Sequence, residues 1–314
     1  MRIVMLEGGS VPVSLRRPDF PHEWAAHEET AVAQMASRLA GATVAIVNKL
    51  PCTRALIAQL GSLKMIAIAA TGADNVDLQA CRDHGIVVSN VRGYATHSVP
   101  EHALALMLAL RRRLFDYAAD VRAGRWAQAP HFCLFDHPIG DLHGARLVIV
   151  GGGELGQGVA RLAHAFGMEV IVAERKDAAQ VRPGRVAFAT ALAEADVVSL
   201  HCPLTPATRH LIGVAELALM SRGAILINTA RGGLVDGAAL AEALRDGKLA
   251  GAGIDVLPEE PPRRGDPLLA PDIPNLIVTP HVAWASSAAV RNLAEQVVAN
   301  IEAFAAGKPA NRLA

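Results

Sequence analysis

The stretch Leu147–Lys176, LVIVGGGELGQGVARLAHAFGMEVIVAERK, decides the fold. It opens on an apolar run, turns through glycines, continues with helical periodicity from Glu154 to Phe166, and closes on a second apolar run, Val170–Ala173. That is strand, tight turn, helix and strand, the βαβ unit of an α/β protein. Gly151, Gly153 and Gly156 stand in G-x-G-x-x-G spacing directly after the first strand. The spacing meets three physical needs: a tight turn, a bare backbone beside a pyrophosphate, and close packing of helix on strand. Glu154 and Leu155 begin the helix, whose N-terminal N–H groups and positive dipole end would face the phosphates. Glu174 closes the second strand about 20 residues on, where a carboxylate can hold ribose hydroxyls. The segment therefore predicts a dinucleotide site, with NAD favoured by that acid. Arg175 and Lys176 follow at once, and two cations there leave NADP open.

Working outward, the same alternation extends in both directions. Upstream, Arg2–Leu6, Val44–Val47, Met65–Ala69 and Ile86–Val88 read as strands, with helices over Glu29–Leu39 and Thr53–Leu60. Glu101 to Arg113 reads as an apolar helix, and Pro100 just before it suits a first helical turn, where its missing N–H has no partner anyway. Downstream, Val197–Leu200, Ala224–Ile227, Gly253–Val256 and Leu276–Val278 are further strands, Ala238–Asp246 is a helix, and Ser286–Ala306 is a long final helix. Such alternation predicts parallel sheets covered on both faces, in two units. VRPGR near Arg182 and PPRRGDP near Arg263 read only as local loop signals.

Composition narrows the function classes. With 30 basic and 30 acidic side chains in 314 residues, no global field recruits nucleic acid or an anionic membrane. No apolar run approaches a membrane span, and MRIVMLEGGS is too short in apolar residues for a secretory signal. Cys52, Cys81, Cys133 and Cys202 are scattered without metal-like or redox-like pairing, as expected of reduced thiols in a cytoplasmic protein.

The candidate chemistry lies at the C-terminal ends of the later strands, where open α/β sheets bind ligands. LHCPLT carries His201, Cys202 and Pro203; NTARGG carries Thr229, Ala230 and Arg231; IDVLPEEPP carries Asp255 and Glu260; VTPHVAW carries His281 and Trp284. A general acid, a carboxylate to orient it and a fixed cation are the parts that reduction of a carbonyl by hydride requires. Histidine supplies the proton to the developing oxyanion, and such positioned acid catalysis contributes about 10²–10⁴-fold. An arginine grips a substrate carboxylate bidentately, as lysine cannot. Spacing alone does not choose between Glu259 and Glu260. His201 ends a strand but has no acid following it, so lining or packing fits it better than proton transfer, as local bonding fits His97 and His102 and packing fits Cys202. Lys49 reaches a cleft or stays solvated; Trp284 walls a pocket or packs between domains.

The glycine motif, NTARGGLVD, GAGIDVLPEEPP and LIVTPHVAW, in that order and spacing, resemble the D-isomer-specific 2-hydroxyacid dehydrogenases. ATGADNVD at Ala70–Asp77 and NVRGYATHSVPEHALALMLAL from Asn90 extend the resemblance over nearly the whole chain. NVRGYAT, VAERK, LHCPLT and PHVAW are most similar to the bacterial glycerate dehydrogenase (hydroxypyruvate reductase) group. The resemblance implies a catalytic trio of Arg231, Glu260 and His281, with Asp255 on the nicotinamide carboxamide. Backbone amides at Thr71, Gly72 and Ala73 would hold the substrate carboxylate, while His201–Pro203 and Thr229–Ala230 line the cofactor. It also implies a Rossmann cofactor domain, 101–284, inserted into a flavodoxin-like substrate domain, 1–100 and 285–314, with the site in a cleft, and a homodimer. The activity implied is NAD(P)H-dependent reduction of a small 2-keto acid, hydroxypyruvate or glyoxylate first. Formate oxidation by family relatives goes with glutamine where Glu260 stands. Phosphite oxidation and a corepressor-like, cofactor-sensing role stay open beside that activity.

Overall fold

Every pairing between named strands is parallel, and the strands form two separate sheets. The computed structural model describes residues 1–314 and divides into two units, Met1–Tyr94 with Ala285–Ala314, and Ala95–Trp284.

In the first unit the strands are β1 (Arg2–Met5), β2 (Glu23–Ala26), β3 (Val44–Val47), β4 (Met65–Ile68) and β5 (Val87–Ser89), in the order β2-β1-β3-β4-β5. This is the flavodoxin-like order. β3 and β4 are buried along their whole length, which is why their sequences read as unbroken apolar runs. β2, EWAA, escapes the sequence reading because it lies on the sheet edge and is only partly buried. The helices here are short: α1 (Met35–Arg38), α2 (Arg54–Ile57) and α3 (Leu78–Asp83). The helix expected over Glu29–Leu39 is reduced to a 3₁₀ turn, Val32–Gln34, and α1. Thr30 spends its hydroxyl on the Leu6 carbonyl, and the Gln34 side chain accepts from Ala31 N–H, so the helix cannot start earlier.

The second unit opens with α4 (Ser98–Arg111) and α5 (Leu114–Arg122), then β6 (Arg146–Val150), α6 (Glu154–Ala165) and β7 (Glu169–Val172). There follow α7 (Phe188–Glu194), β8 (Val197–Leu200), α8 (Val214–Leu219), β9 (Ile225–Asn228), α9 (Gly237–Arg245), β10 (Gly251–Ile254) and β11 (Leu276–Val278). Strand order is β11-β10-β9-β8-β6-β7, and a lone parallel bridge, Ala173 to Val186, marks a vestigial strand after β7. Counting that bridge, the order is that of a Rossmann sheet with one added strand, reversing between β6 and β8. Alternate strand residues enter different cores. Val148, Val198, Leu226 and Ala252 pack with α7, α8 and α9, whereas Leu147, Ile149, Val197 and Ile225 pack with α4 and α6. The sheet is therefore covered on both faces.

The last helix, α10 (Ser287–Ala305), belongs to the first unit. Ser286 caps it by accepting from Ala289 N–H, and Val290, Leu293, Ala294, Val297, Val298 and Ile301 form its buried stripe. The division falls at Tyr94/Ala95, six residues before the 100/101 boundary that the family resemblance implies. The first turn of α4 is bound into the second unit: Ser98 Oγ donates to the Trp284 carbonyl, and Pro100 packs against Gly158 on α6.

Candidate active site

The reversal between β6 and β8 sets the glycine loop at a strand's C-terminal end. Gly151 has φ +105°, and a Cβ there would lie 2.6 Å from the His201 backbone carbon, so both dihedral and space demand glycine. Gly156 abuts the Gly151 carbonyl, which lets α6 pack tightly on β6. Gly153 is the N-cap of α6 and no side chain caps the helix; Gly153 and Glu154 are exposed and Leu155 half-buried. The leading N–H groups of a 12-residue helix are thus left to an external acceptor. Just past β9, Thr229 Oγ1 is buried without a hydrogen-bond partner, an open polar valence where a ligand group fits. These features fit a dinucleotide.

Glu174 lies two residues beyond β7 and is 2% exposed in its side chain. The Arg182 guanidinium grips it, with Nε 2.7 Å from Oε2 and Nη2 on Oε1, and the N–H groups of Arg175 (2.7 Å) and Arg182 (3.2 Å) add to the grip. Arg182 above all, then the backbone bonds, holds the carboxyl far below the usual carboxylate range. VRPGR is therefore no mere loop signal, since its first arginine closes on the predicted ribose acid. Arg175 is exposed, and Lys176 is drawn away to Glu216 at 2.8 Å.

His201 bonds Ser199 through Nε2 at 2.8 Å, and burial pushes its pKa down to about 4. A ring that stays neutral at physiological pH lines a site rather than acting as its acid. Burial also raises the Cys202 thiol, keeping it protonated, and Pro203 follows it exposed.

Arg231 leaves β9 on a turn braced by Asn228, whose Nδ2 donates to the Arg231 carbonyl (2.9 Å) and whose Oδ1 accepts from Ala230 N–H (3.1 Å). Arg231 Nη1 donates to the Ala230 carbonyl at 2.7 Å. The next residue, Gly232, lies so close to the Leu257–Pro258 backbone that any side chain would run into it. That approach brings the Arg231 turn against the loop carrying Glu260. Leu257 N–H donates to Glu260 Oε1 at 2.9 Å, and Glu260 Oε2 meets His281 Nδ1 at 2.5 Å. Arg231, Glu260 and His281 are thus on adjoining turns, and geometry selects Glu260 over Glu259, which pairs with Arg264.

His281 adopts φ +54°, an uncommon conformation for a non-glycine residue. Asp255 holds it there: its carbonyl accepts His281 N–H at 2.7 Å, and its carboxylate accepts from Val282 N–H (3.0 Å), Ala283 N–H (2.9 Å) and Thr279 Oγ1 (2.5 Å). His102 Nε2 stands 3.1 Å from the same Thr279 hydroxyl. The family resemblance assigns Asp255 to the nicotinamide; most of its acceptor capacity is committed to the 279–283 turn. Asn228, Thr279 and Arg182 are not among the residues that sequence reasoning singles out, because their roles depend on loops folding back onto strand ends.

In the first unit, Thr71 Oγ1 donates to the Val91 carbonyl at 2.7 Å, and Asn90 Nδ2 donates to the Thr71 carbonyl at 2.7 Å. The N–H groups of Thr71, Gly72 and Ala73 enter no backbone pairing. Lys49 is exposed, and its N–H donates to the Glu7 carboxylate at 3.0 Å. Trp284 is half-buried and is the last residue of the second unit.

Residues 104–283, more than half of the chain, match the profile described as D-isomer specific 2-hydroxyacid dehydrogenase, NAD binding domain. A glycerate dehydrogenase from Methylorubrum extorquens is 49% identical over 313 residues, 99% of this chain and 98% of the relative. A hydroxypyruvate reductase from Blautia hydrogenotrophica is 34% identical over 285 residues, 90% of this chain and 88% of the relative. Among solved structures, an acyclic imino acid reductase in complex with NADPH and D-Arg superposes with a TM-score of 0.86 at 26% identity, covering 100% of both chains.

Proposed function

Because the chain belongs to the D-isomer-specific 2-hydroxyacid dehydrogenases, we propose that it reduces a small 2-keto acid, hydroxypyruvate or glyoxylate first, to the D-2-hydroxy acid. The relatives named glycerate dehydrogenase and hydroxypyruvate reductase support that substrate class. The glycine loop, the open N-terminus of α6, Glu174, the His201–Pro203 and Thr229–Ala230 turns and Asp255 are the residues that would hold NAD, or NADP. When bound in reduced form, the nicotinamide supplies the hydride that C2 accepts.

The observation that carries the reading is the short contact between His281 Nδ1 and Glu260 Oε2, 2.5 Å, on a carboxylate itself fixed by Leu257 N–H. The Glu260 carboxylate keeps the proton on Nδ1 of the neutral ring, so a second proton, on Nε2, is the one to give. Nε2 then protonates the C2 oxygen as its negative charge grows, and Glu260 stabilises the imidazolium before that transfer. Arg231 offers its planar fork to the keto acid and polarises the carbonyl. Trp284, three residues after His281, limits the side chain of the acid.

We assign the working form as a homodimer. Leu114, Phe115, Trp126, Phe132 and Phe135 are exposed on the second unit, with Phe132 89% and Phe135 84% accessible, a density of large apolar groups that marks an association surface. No helix is long and apolar enough to cross a membrane, and all four cysteines are free, which supports the cytoplasm as its compartment.

A steady-state panel tests the activity: hydroxypyruvate, glyoxylate, pyruvate and a bulky keto acid, each with NADH and NADPH. Preferential turnover of the first two is expected. Absence of activity on all four would overturn the assignment.

A further inference from the structure

The corner beyond β7 carries more cations than an NAD site needs. Glu174 accepts four hydrogen bonds, two of them from the Arg182 side chain. A carboxylate offers about four lone-pair positions, so all are filled. The pair is lopsided: the carboxylate is 2% exposed while the Arg182 side chain is 49% exposed. Of about five guanidinium N–H donors, two face Glu174 and the rest point elsewhere. Arg185, from the same segment, sets Nη1 3.4 Å from the Ala173 carbonyl, and its Nη2 lies 3.7 Å from where a side chain on Gly152 would begin. Arg185 therefore spans the strand end and the glycine loop. A lone buried carboxylate would reject a 2′-phosphate by like-charge repulsion; here the repulsion is cancelled by a bound cation.

We infer that Arg182, with Arg185 beside it, is a specificity-determining residue that lets this corner take the 2′-phosphate of NADPH as well as the ribose diol of NADH. With the phosphate present, the outward N–H edge of Arg182 and the Arg185 guanidinium engage it in charge-assisted bonds. With the diol present, Glu174 exchanges its side-chain bonds to Arg182 for the ribose hydroxyls and keeps both backbone N–H groups. The inference rests on the proposed placing of Glu174 at the adenosine ribose.

Calorimetric titration with 2′,5′-ADP and 5′-AMP, and with NADPH and NADH, tests it on wild type, Arg182→Gln and Glu174→Gln. Arg182→Gln should weaken 2′,5′-ADP and NADPH by about 10- to 100-fold, as loss of one charge-assisted contact does, and leave 5′-AMP and NADH unweakened. Glu174→Gln should tighten 2′,5′-ADP and weaken NADH. Equal changes in both ligand series for Arg182→Gln, or no change in either, overturn the role of Arg182. No change in any affinity for Glu174→Gln overturns the ribose placement itself. If Arg182→Gln does not fold, Arg182→Lys carries the same test, since a point charge in place of the fork must lower the ratio of 2′,5′-ADP to 5′-AMP affinity. An unaltered ratio overturns the inference.

Discussion

Substituting Glu260 by glutamine removes the charge from the proposed catalytic pair. The amide oxygen still accepts the Leu257 N–H, now 2.9 Å from Oε1, but an NH2 group that can only donate then replaces Oε2 opposite His281 Nδ1, so the charge goes and the Nδ1–H loses its acceptor; the charge alone sets the smallest expected effect. Two unit charges about 4 Å apart attract by about 1 kcal/mol in water and about 4 kcal/mol near a protein surface. The side chains are 23% and 29% exposed, between those settings, so about 2 kcal/mol of imidazolium stabilisation should be lost. By transition-state arithmetic that is about 30-fold in kcat. The assay is NADH oxidation at saturating keto acid, run in H2O and D2O, with the NADH dissociation constant measured separately. The expected result is a fall of at least that size, a larger solvent isotope effect as proton transfer becomes limiting, and unchanged NADH binding. A kcat within about twofold of wild type would refute the role given to the carboxylate.

Three further outcomes follow from the geometry. Arg231→Lys should lose about 10²-fold or more in kcat/KM, because a point charge cannot replace a bidentate fork, and steady-state kinetics checks it. His201 titrates at about 4 in the folded state against 6.5 free, so the unfolded chain binds the extra proton between those values. Its share of stability is complete above about 6.5 and drains away as pH falls toward 4, by about 3 kcal/mol at most. Thermal melts should show this acid-side loss in wild type and less of it in His201→Asn; parallel melting curves would contradict the assignment. Phe132→Asp with Phe135→Asp should shift sedimentation toward the monomer, and an unchanged sedimentation coefficient would remove that surface from the interface.

The second unit is largely legible in the sequence, because β8 and β9 are buried on both faces and so read as apolar runs. The glycine loop is legible for a different reason: backbone dihedral and close approach at Gly151 admit one residue type. Edge strand β2 is not, since a half-exposed strand needs no apolar run. At the site, Glu260 and His281 stand out by residue type and motif, but Glu260 cannot be told from Glu259 by spacing. The distinction rests on the contact of Glu260 Oε2 with His281 Nδ1, while Glu259 turns to Arg264, and on the Leu257 N–H that fixes the Glu260 carboxylate. Arg182 reads only as part of a loop signal because seven residues of irregular chain lie between it and Glu174, and no periodicity connects them. Asn228 and Thr279 likewise act through turns whose paths local pattern does not specify.

The lodging of His281 on Asp255 has a consequence for redesign. The chain on either side of His281, the proposed proton donor, is bolted to a strand end through one acidic residue, so the place of the ring is set by the chain's own bonds. On the proposed role of Trp284, altering the enzyme toward bulkier acids is a matter of trimming that side chain while leaving 279–283 untouched. Exchanging Asp255 for a neutral residue would release the imidazole along with its anchor, whatever pocket had been carved beside it.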